Sequence, residues 1–494
     1  MARHPLILLA LALVLRSGAA VLLGPHPFDD TFITFRYALN LAAGHGFVFN
    51  LGERVLGTTT PLWALLLAGL HALGAPLPAT ALALSLLADA ATAILMWHLL
   101  DRLGFPVWVS LAGPLLFLAV FDALSISRSG MEAPLFAALV MATLSALAAG
   151  RPAAAGCAAG LAALTRPEGL VLLPLLLLAG VLLPGEMPLR RRLLGAALAA
   201  AILGAWAVFA VGYFGSCVPQ SIVAKASHVA QDPGLARFSW MNLALFATFG
   251  QFGGGIYQRT LLQLNFLLIP LAGVGAAGLL LKALREGGRA AWLHAVLLIW
   301  FPLGYIAGLA LSHAFTWFPW YYGPIYPFAA LLAAAGASTA RRAGPVLIAL
   351  LVAGQLAAAV RVKLPADRDF MIAGYLQSAG TIPREPGVRV AALEIGAVGW
   401  KVWPLPVIDL LGLVTPEAVG REPLDVLHAR LPEYLVVRTD DAAPLLARAG
   451  RESWFAASYL RQTVVRDPWS PREFIVFRRR PPAAASDDPV LLAP

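Results

Sequence analysis

Phe28-Asp29-Asp30-Thr31-Phe32-Ile33-Thr34-Phe35-Arg36-Tyr37 lies just behind the first apolar segment of the chain. Two adjacent carboxylates stand where a membrane-spanning run ends. An arginine, aromatics and the turn-rich Ala43-Gly44-His45-Gly46 follow. A hydrophobic chain can place charge there only if the stretch faces water or a cavity at the membrane surface. Other polar segments gain meaning if they reach that same side.

Of the 494 residues, 59% are hydrophobic and 13% charged, whereas soluble domains carry about 25% charged residues. The composition is that of an integral membrane protein. The net charge of +9 resides mostly in short gaps between apolar runs and in a basic C-terminal region. That pattern reflects membrane topology rather than nucleic-acid binding. Cys157 and Cys217 lie in different segments and form neither a metal pattern nor a disulfide framework. Residues 1–23 carry Arg3 ahead of an apolar run, and Ser17-Gly18-Ala19-Ala20 resembles a signal-cleavage region. Because many spans follow, we read an uncleaved first helix with a cytoplasmic N-terminus.

About eleven spans are expected from the need for roughly 20 apolar residues each. They cover residues 5–23, 79–100, 106–121, 131–149, 152–164, 170–183, 193–213, 264–281, 290–311, 323–340 and 345–360. Residues 61–73, between Thr58-Thr59-Thr60 and Gly74-Ala75-Pro76, are too few to span and suit a helix lying in the interface. The positive-inside rule supports that reading. With 61–73 flat, Arg3, Arg102, Arg151, Arg190-Arg191-Arg192, Lys282, Arg285, Arg289 and Arg341-Arg342 all face the cytoplasm. The opposite face then collects Asp29, Asp30, Arg36 and Arg54. It also receives Ser129-Gly130-Met131-Glu132, Thr165-Arg166-Pro167-Glu168, Gln220-Ser221 through Lys225 and His228, and the aromatic run 313–322. A site between membrane and outer compartment is implied.

Beyond about residue 363 the apolar runs shorten. Residues 388–393, 407–410, 434–437 and 474–477 read as short buried strands, with helices over 423–429 and 442–449. The expectation is a membrane domain over 1–362, a small extracytoplasmic α/β domain over 363–480 and a disordered tail over 481–494. No internal repeat of the kind seen in inverted-repeat transporters is evident.

Asp29 and Asp30 are the candidates for a general base, on a stretch read as extended so that the two side chains point different ways. Interfacial solvation and helix capping are the structural alternatives. Arg166, Lys225 and His228 are candidate phosphate contacts, or ordinary snorkelling cations, and Arg36 would restrain any rise in the pKa of the nearby acids. Glu132 can hydrogen-bond a substrate hydroxyl, although an acid that opens a helix needs no function, and Glu168, two residues from Arg166, is a further substrate-binding candidate. Tyr321 and Tyr322 belong to an aromatic run that either lines a groove or forms an interfacial belt. There is no Walker loop, zinc spacing or nucleophile elbow, and no ligand set requires a metal.

Several ordered motifs resemble the GT-C glycosyltransferases, especially the branch with actinobacterial arabinofuranosyltransferases and protein-mannosyltransferase-like enzymes. They are Asp29 to Ala38, Gly44-His45-Gly46-Phe47-Val48-Phe49-Asn50, Gly52-Glu53-Arg54-Val55 and Thr59-Thr60-Pro61-Leu62-Trp63. Ser129 to Glu132, Leu164 to Gly169, Glu394 to Gly399 and Ile408 to Gly412 extend the likeness over nearly the whole chain. Gln220 stands before Ser221 where the family pattern has asparagine, and no basic residue precedes Tyr321. The resemblance implies a multi-pass enzyme of the plasma or inner membrane. It would transfer a sugar from a polyprenyl-phosphate donor to a glycan, lipid or protein hydroxyl on the outer face, with no cofactor required, by a single inverting displacement with an Asp base and with Arg36, Arg166 and Lys225 at the phosphate. A lipid or glycan flippase, or a non-catalytic assembly subunit, are the readings from other classes.

Overall fold

The computed structural model describes residues 3–182, 188–232, 268–311, 318–358 and 371–481, with two isolated positions, 234 and 237. The expected domain boundary, the tail and His313 to Trp317 of the aromatic run lie outside the described residues. The apolar intervals form helices, which pair every backbone polar group within the segment. These are α1 (Arg3–Leu23), α4 (Leu77–Arg102), α5 (Val107–Ala119), α7 (Ala133–Ala148), α8 (Pro152–Thr165), α9 (Leu172–Leu182), α10 (Leu189–Phe214), α12 (Leu268–Glu286), α13 (Arg289–Leu311), α14 (Tyr326–Ser338) and α15 (Gly344–Ala358). Five of them, α1, α4, α10, α12 and α13, are long and apolar enough to cross a membrane by length and composition. The body is that of a polytopic helical membrane protein.

Between these lie further helices: α2 (Asp29–Ala42), α3 (Pro61–Ala72), α6 (Phe121–Ser127) and α11 (Gln220–Gln231). The segment at Asp29, read above as extended, is thus helical. Its two carboxylates still diverge, because successive helix residues lie about 100° apart around the axis. Helix α3 has 12 residues, about 18 Å at 1.5 Å per residue and well short of a bilayer core. It buries Trp63, Ala64 and Leu67 while exposing Leu65 and Leu66.

An ion pair that the sequence reading did not anticipate joins α1 to α4. Arg16 Nε meets Asp89 Oδ2 at 2.7 Å, and Arg16 Nη1 donates to the Leu118 carbonyl at 2.8 Å. Both residues are buried, so each charge persists there only through the other.

The C-terminal part holds a five-stranded sheet of order β2-β1-β3-β5-β4. Its strands are β1 (Val390–Ala392), β2 (Val407–Asp409), β3 (Tyr434–Arg438), β4 (Tyr459–Arg466) and β5 (Glu473–Arg479). β1, β2 and β3 are parallel, whereas β5 runs antiparallel to both of its neighbours, β3 and β4. Side chains alternate between the two faces. Tyr434, Val436, Phe474 and Val476 pack with Phe35, Tyr37 and Phe49 of the first loop and with Tyr375 of α16 (Met371–Ala379). Leu435, Val437, Ile475 and Phe477 form a second core with Leu424 and Leu427 of α18 (Pro423–Arg430) and Leu445 of α19 (Ala443–Ala449). The core of the sheet is therefore continuous with the acid-bearing loop. Strand β4 escaped the sequence reading because it is an edge strand, mostly exposed and interrupted by an irregularity between Arg461 and Thr463. Its polar residues lack the apolar run that marks a buried strand.

Candidate active site

Segments from α2, the loop before α3, the loop before α7, the α8–α9 joint, α11, α13 and the aromatic run surround a cavity of about 390 Å³. Of the ten residues singled out above, Asp30, Glu132, Arg166, Glu168, Lys225 and Tyr321 line it.

Local chain chemistry places each one. Phe28 is extended and its amide donates to Thr31 Oγ1 at 3.2 Å, which opens α2 with both acids in its first turn. Carboxylates are favoured at that helix end. Pro167 disfavours helical geometry at Arg166, which is extended at φ −152° and ψ 138°. That break ends α8 and turns the arginine out of the helix. Its Nη1 donates to Glu132 Oε1 at 2.9 Å and its Nη2 to Glu168 Oε1 at 2.9 Å. Its guanidinium also lies 5.3 Å from the centre of the Tyr321 ring.

Lys225 lies on the amphipathic helix α11. Its Nζ is 4.0 Å from Asp30 Oδ2 and 3.4 Å from the Tyr321 hydroxyl. Burial opposes its charge, yet Tyr321 and Asp30 outweigh burial and lift its pKa above the ordinary lysine value. Lys225 therefore stays cationic. Tyr321 is itself held by the Tyr305 hydroxyl, which donates to its carbonyl at 2.7 Å.

Four predicted residues are elsewhere. Asp29 is buried, and its two oxygens accept the amides of Gly396 (2.7 Å) and Ala397 (2.8 Å) at the start of α17 (Gly396–Val402). A Cβ at Gly396 would overlap the Asp29 carbonyl oxygen, so only glycine permits this approach. Arg36 is also buried. It donates to Asn50 Oδ1 (3.2 Å) and to the carbonyls of Phe49 (2.8 Å), Gly399 (2.5 Å) and Leu405 (2.6 Å). The guanidinium is thus occupied in joining the first loop to the C-terminal sheet. His228, on α11, and Tyr322 do not line the cavity.

Burial raises the Asp29 pKa to about 6, although the two amides hold it down. Glu394 next to it is pushed well up by burial and by Asp29. Burial lowers the Arg36 pKa to about 9, against the opposing pull of Glu53.

Sequence reading missed Thr34, Thr58, Ser221, Tyr305 and Leu413 as cavity residues. For Thr34 and Ser221 a signal was available: they stand four residues from Asp30 and Lys225, on the same helix faces. Leu413 carried none, because it arrives from the C-terminal part. Among the described residues, no group of three or more His, Cys, Asp or Glu is placed to hold a metal ion.

Residues 372–483 match the family model described as a domain of unknown function (DUF8728). The chain is 32% identical over 222 residues to the terminal beta-(1->2)-arabinofuranosyltransferase of Mycobacterium tuberculosis. That match covers 40% of this chain and 34% of the relative, so it spans about a third of the relative's length. The fold is similar to the crystal structure of ArnT from Cupriavidus metallidurans bound to undecaprenyl phosphate. The TM-score is 0.56 and the identity 17%, over 95% of this chain and 97% of that one. The apo state of ArnT gives a TM-score of 0.56 at 16% identity, with the same coverage. With its helical membrane body, an acid-bearing loop behind the first helix and this likeness over almost its whole length, the chain has the GT-C fold.

Proposed function

We propose that the protein is a membrane glycosyltransferase that moves a sugar from a polyprenyl-phosphate donor to a hydroxyl of a cell-envelope glycan, lipid or protein. The observation that carries this reading is the pairing of Asp30 with Lys225 in one cavity, 4.0 Å apart. That spacing leaves a base and a cation near each other without a tight ion pair. The similarity to an arabinofuranosyltransferase and to ArnT bound to undecaprenyl phosphate supports both the reaction class and the lipid. We take the helical body as multi-pass, with the N-terminus cytoplasmic and the cavity and C-terminal domain (363–480) on the outer face, as the distribution of basic residues supports.

In this reading Asp30 takes the proton of the acceptor hydroxyl as that oxygen attacks the anomeric carbon. The bond from that carbon to the phosphate oxygen breaks, and its electrons leave with the lipid phosphate. The anomeric configuration inverts in a single displacement. Lys225 stabilises the departing phosphate, whose charge grows in the transition state. Arg166 contributes less than a free arginine, because Glu132 and Glu168 already take three of its five N–H donors. Two cations face three carboxylates in this cavity, so the bound phosphate is best placed at Lys225, away from Glu132 and Glu168. No step draws on a metal.

The test is consumption of radiolabelled polyprenyl-phosphate sugars by the full chain in nanodiscs. Transfer that depends on Asp30 supports the reading. Equal turnover by Asp30→Asn removes the base, and no turnover with any lipid-linked sugar removes the reaction class.

A further inference from the structure

The cavity has a second kind of wall. Thr34, Thr58, Thr60 and Ser221 line it as well, and all four are buried. Thr34 lies one turn beyond Asp30 on α2, and Ser221 one turn before Lys225 on α11. One turn is about 5.4 Å, so each helix presents a charge and, about a sugar ring's breadth away, a hydroxyl on the same face.

The hydrogen-bonding capacity of this wall is not used up. Thr60 Oγ1 lies 3.3 Å from Thr34 Oγ1 and 3.0 Å from Thr58 Oγ1, and the Thr60 amide donates to Thr58 Oγ1 at 3.2 Å. Three hydroxyls joined by two such contacts keep at least one hydrogen and several lone pairs to offer. Ser221 is 7% exposed, and its Oγ has no hydrogen-bond partner among the described residues. A serine near a helix start commonly caps an amide, but no side-chain cap bond is made at the start of α11. An unpaired buried hydroxyl costs about 1–3 kcal/mol. A fold can hold one without loss where a ligand completes the bond.

We propose that this hydroxyl wall is a sugar-ring subsite, with Ser221 and Thr34 as specificity-determining residues. Ring hydroxyls both donate and accept, as these side chains do. A phosphate would instead seek the cation one turn away, and an isoprenoid tail would leave the hydroxyls unpaired. The inference rests on the glycosyl-transfer reading for what the ring is used for, but not for whether it binds.

The test uses the full chain in nanodiscs, with methyl α-D-arabinofuranoside as the ring probe and undecaprenyl phosphate as the ring-free probe. Ser221→Ala removes an atom without a partner, and Thr34→Val keeps the side-chain shape. We expect each to weaken glycoside binding, read by saturation-transfer NMR, about five- to tenfold, as loss of one hydrogen bond predicts. Affinity for undecaprenyl phosphate should stay unchanged, and the unfolding temperature of Ser221→Ala should be equal or higher. In turnover assays, a raised KM for the lipid-linked donor assigns the wall to the donor sugar, and a raised KM for the acceptor assigns it to the acceptor sugar. Unchanged glycoside affinity in both variants, no glycoside binding by the parent, or weakened undecaprenyl phosphate binding in Ser221→Ala would each overturn the proposal. Ser221-dependent glycoside binding without any turnover would keep it and remove glycosyl transfer.

Discussion

Asp29 Oδ2 accepts the backbone amide of Gly396 at 2.7 Å, across 367 residues of chain. Its neighbour Asp30 instead faces Lys225 in the cavity. One helical step thus separates two uses of the same functional group: Asp29 fastens the C-terminal part to α2, and Asp30 remains available to a substrate.

Substitution should separate those uses. Asp30→Asn is expected to lower transfer by about 10²–10⁴-fold, the usual contribution of a general base, with little change in unfolding temperature. Asp29→Asn supplies one acceptor where two amides need one each. It is expected to cost about 1–3 kcal/mol of stability and to speed proteolysis between α2 and α17. Thermal unfolding and limited proteolysis of the two variants, run beside the transfer assay, check the contrast.

The pH dependence of that fastening has a defined sign. The Asp29 pKa rises from 3.8 to about 6 on folding, chiefly through burial. Between those values the folded state binds more protons than the unfolded state. The stability held by protonated Asp29 is complete below about pH 4 and is lost as pH rises through about 6. Raising the pH from 5 to 7 should therefore lower the unfolding temperature of the parent more than that of Asp29→Asn. Identical slopes in the two proteins would remove Asp29 as the titrating group.

Lys225 should answer to phosphate rather than to fold. Lys225→Met is expected to weaken undecaprenyl phosphate binding about tenfold, or roughly 1.4 kcal/mol, whereas Lys225→Arg should recover part of it. The side chain is partly exposed and its contacts are long, so the unfolding temperature should move little. Binding titrations in nanodiscs with the ring-free lipid are the measurement.

Arg36 should behave in the opposite way. Arg36→Met leaves the carbonyls of Phe49, Gly399 and Leu405 without this donor. Each buried acceptor left without its donor costs about 1–3 kcal/mol. The expected outcome is a large fall in unfolding temperature, with undecaprenyl phosphate affinity retained in whatever fraction stays folded.

The amino-acid sequence by itself determined the class of the molecule and most of the segments that meet at the cavity. Apolar length, proline breaks such as Arg166-Pro167 and the placement of basic gaps act between near neighbours in the chain, so they can be read there. Pairings across hundreds of residues were decided only in the tertiary structure. They include Asp29 with Gly396, Arg36 with Gly399 and Leu405, and Leu413 at the cavity wall. No local pattern distinguishes a carboxylate or guanidinium that will be consumed by a distant backbone from one left facing a cavity. That depends on which partners folding brings within about 3 Å, the reach of a hydrogen bond.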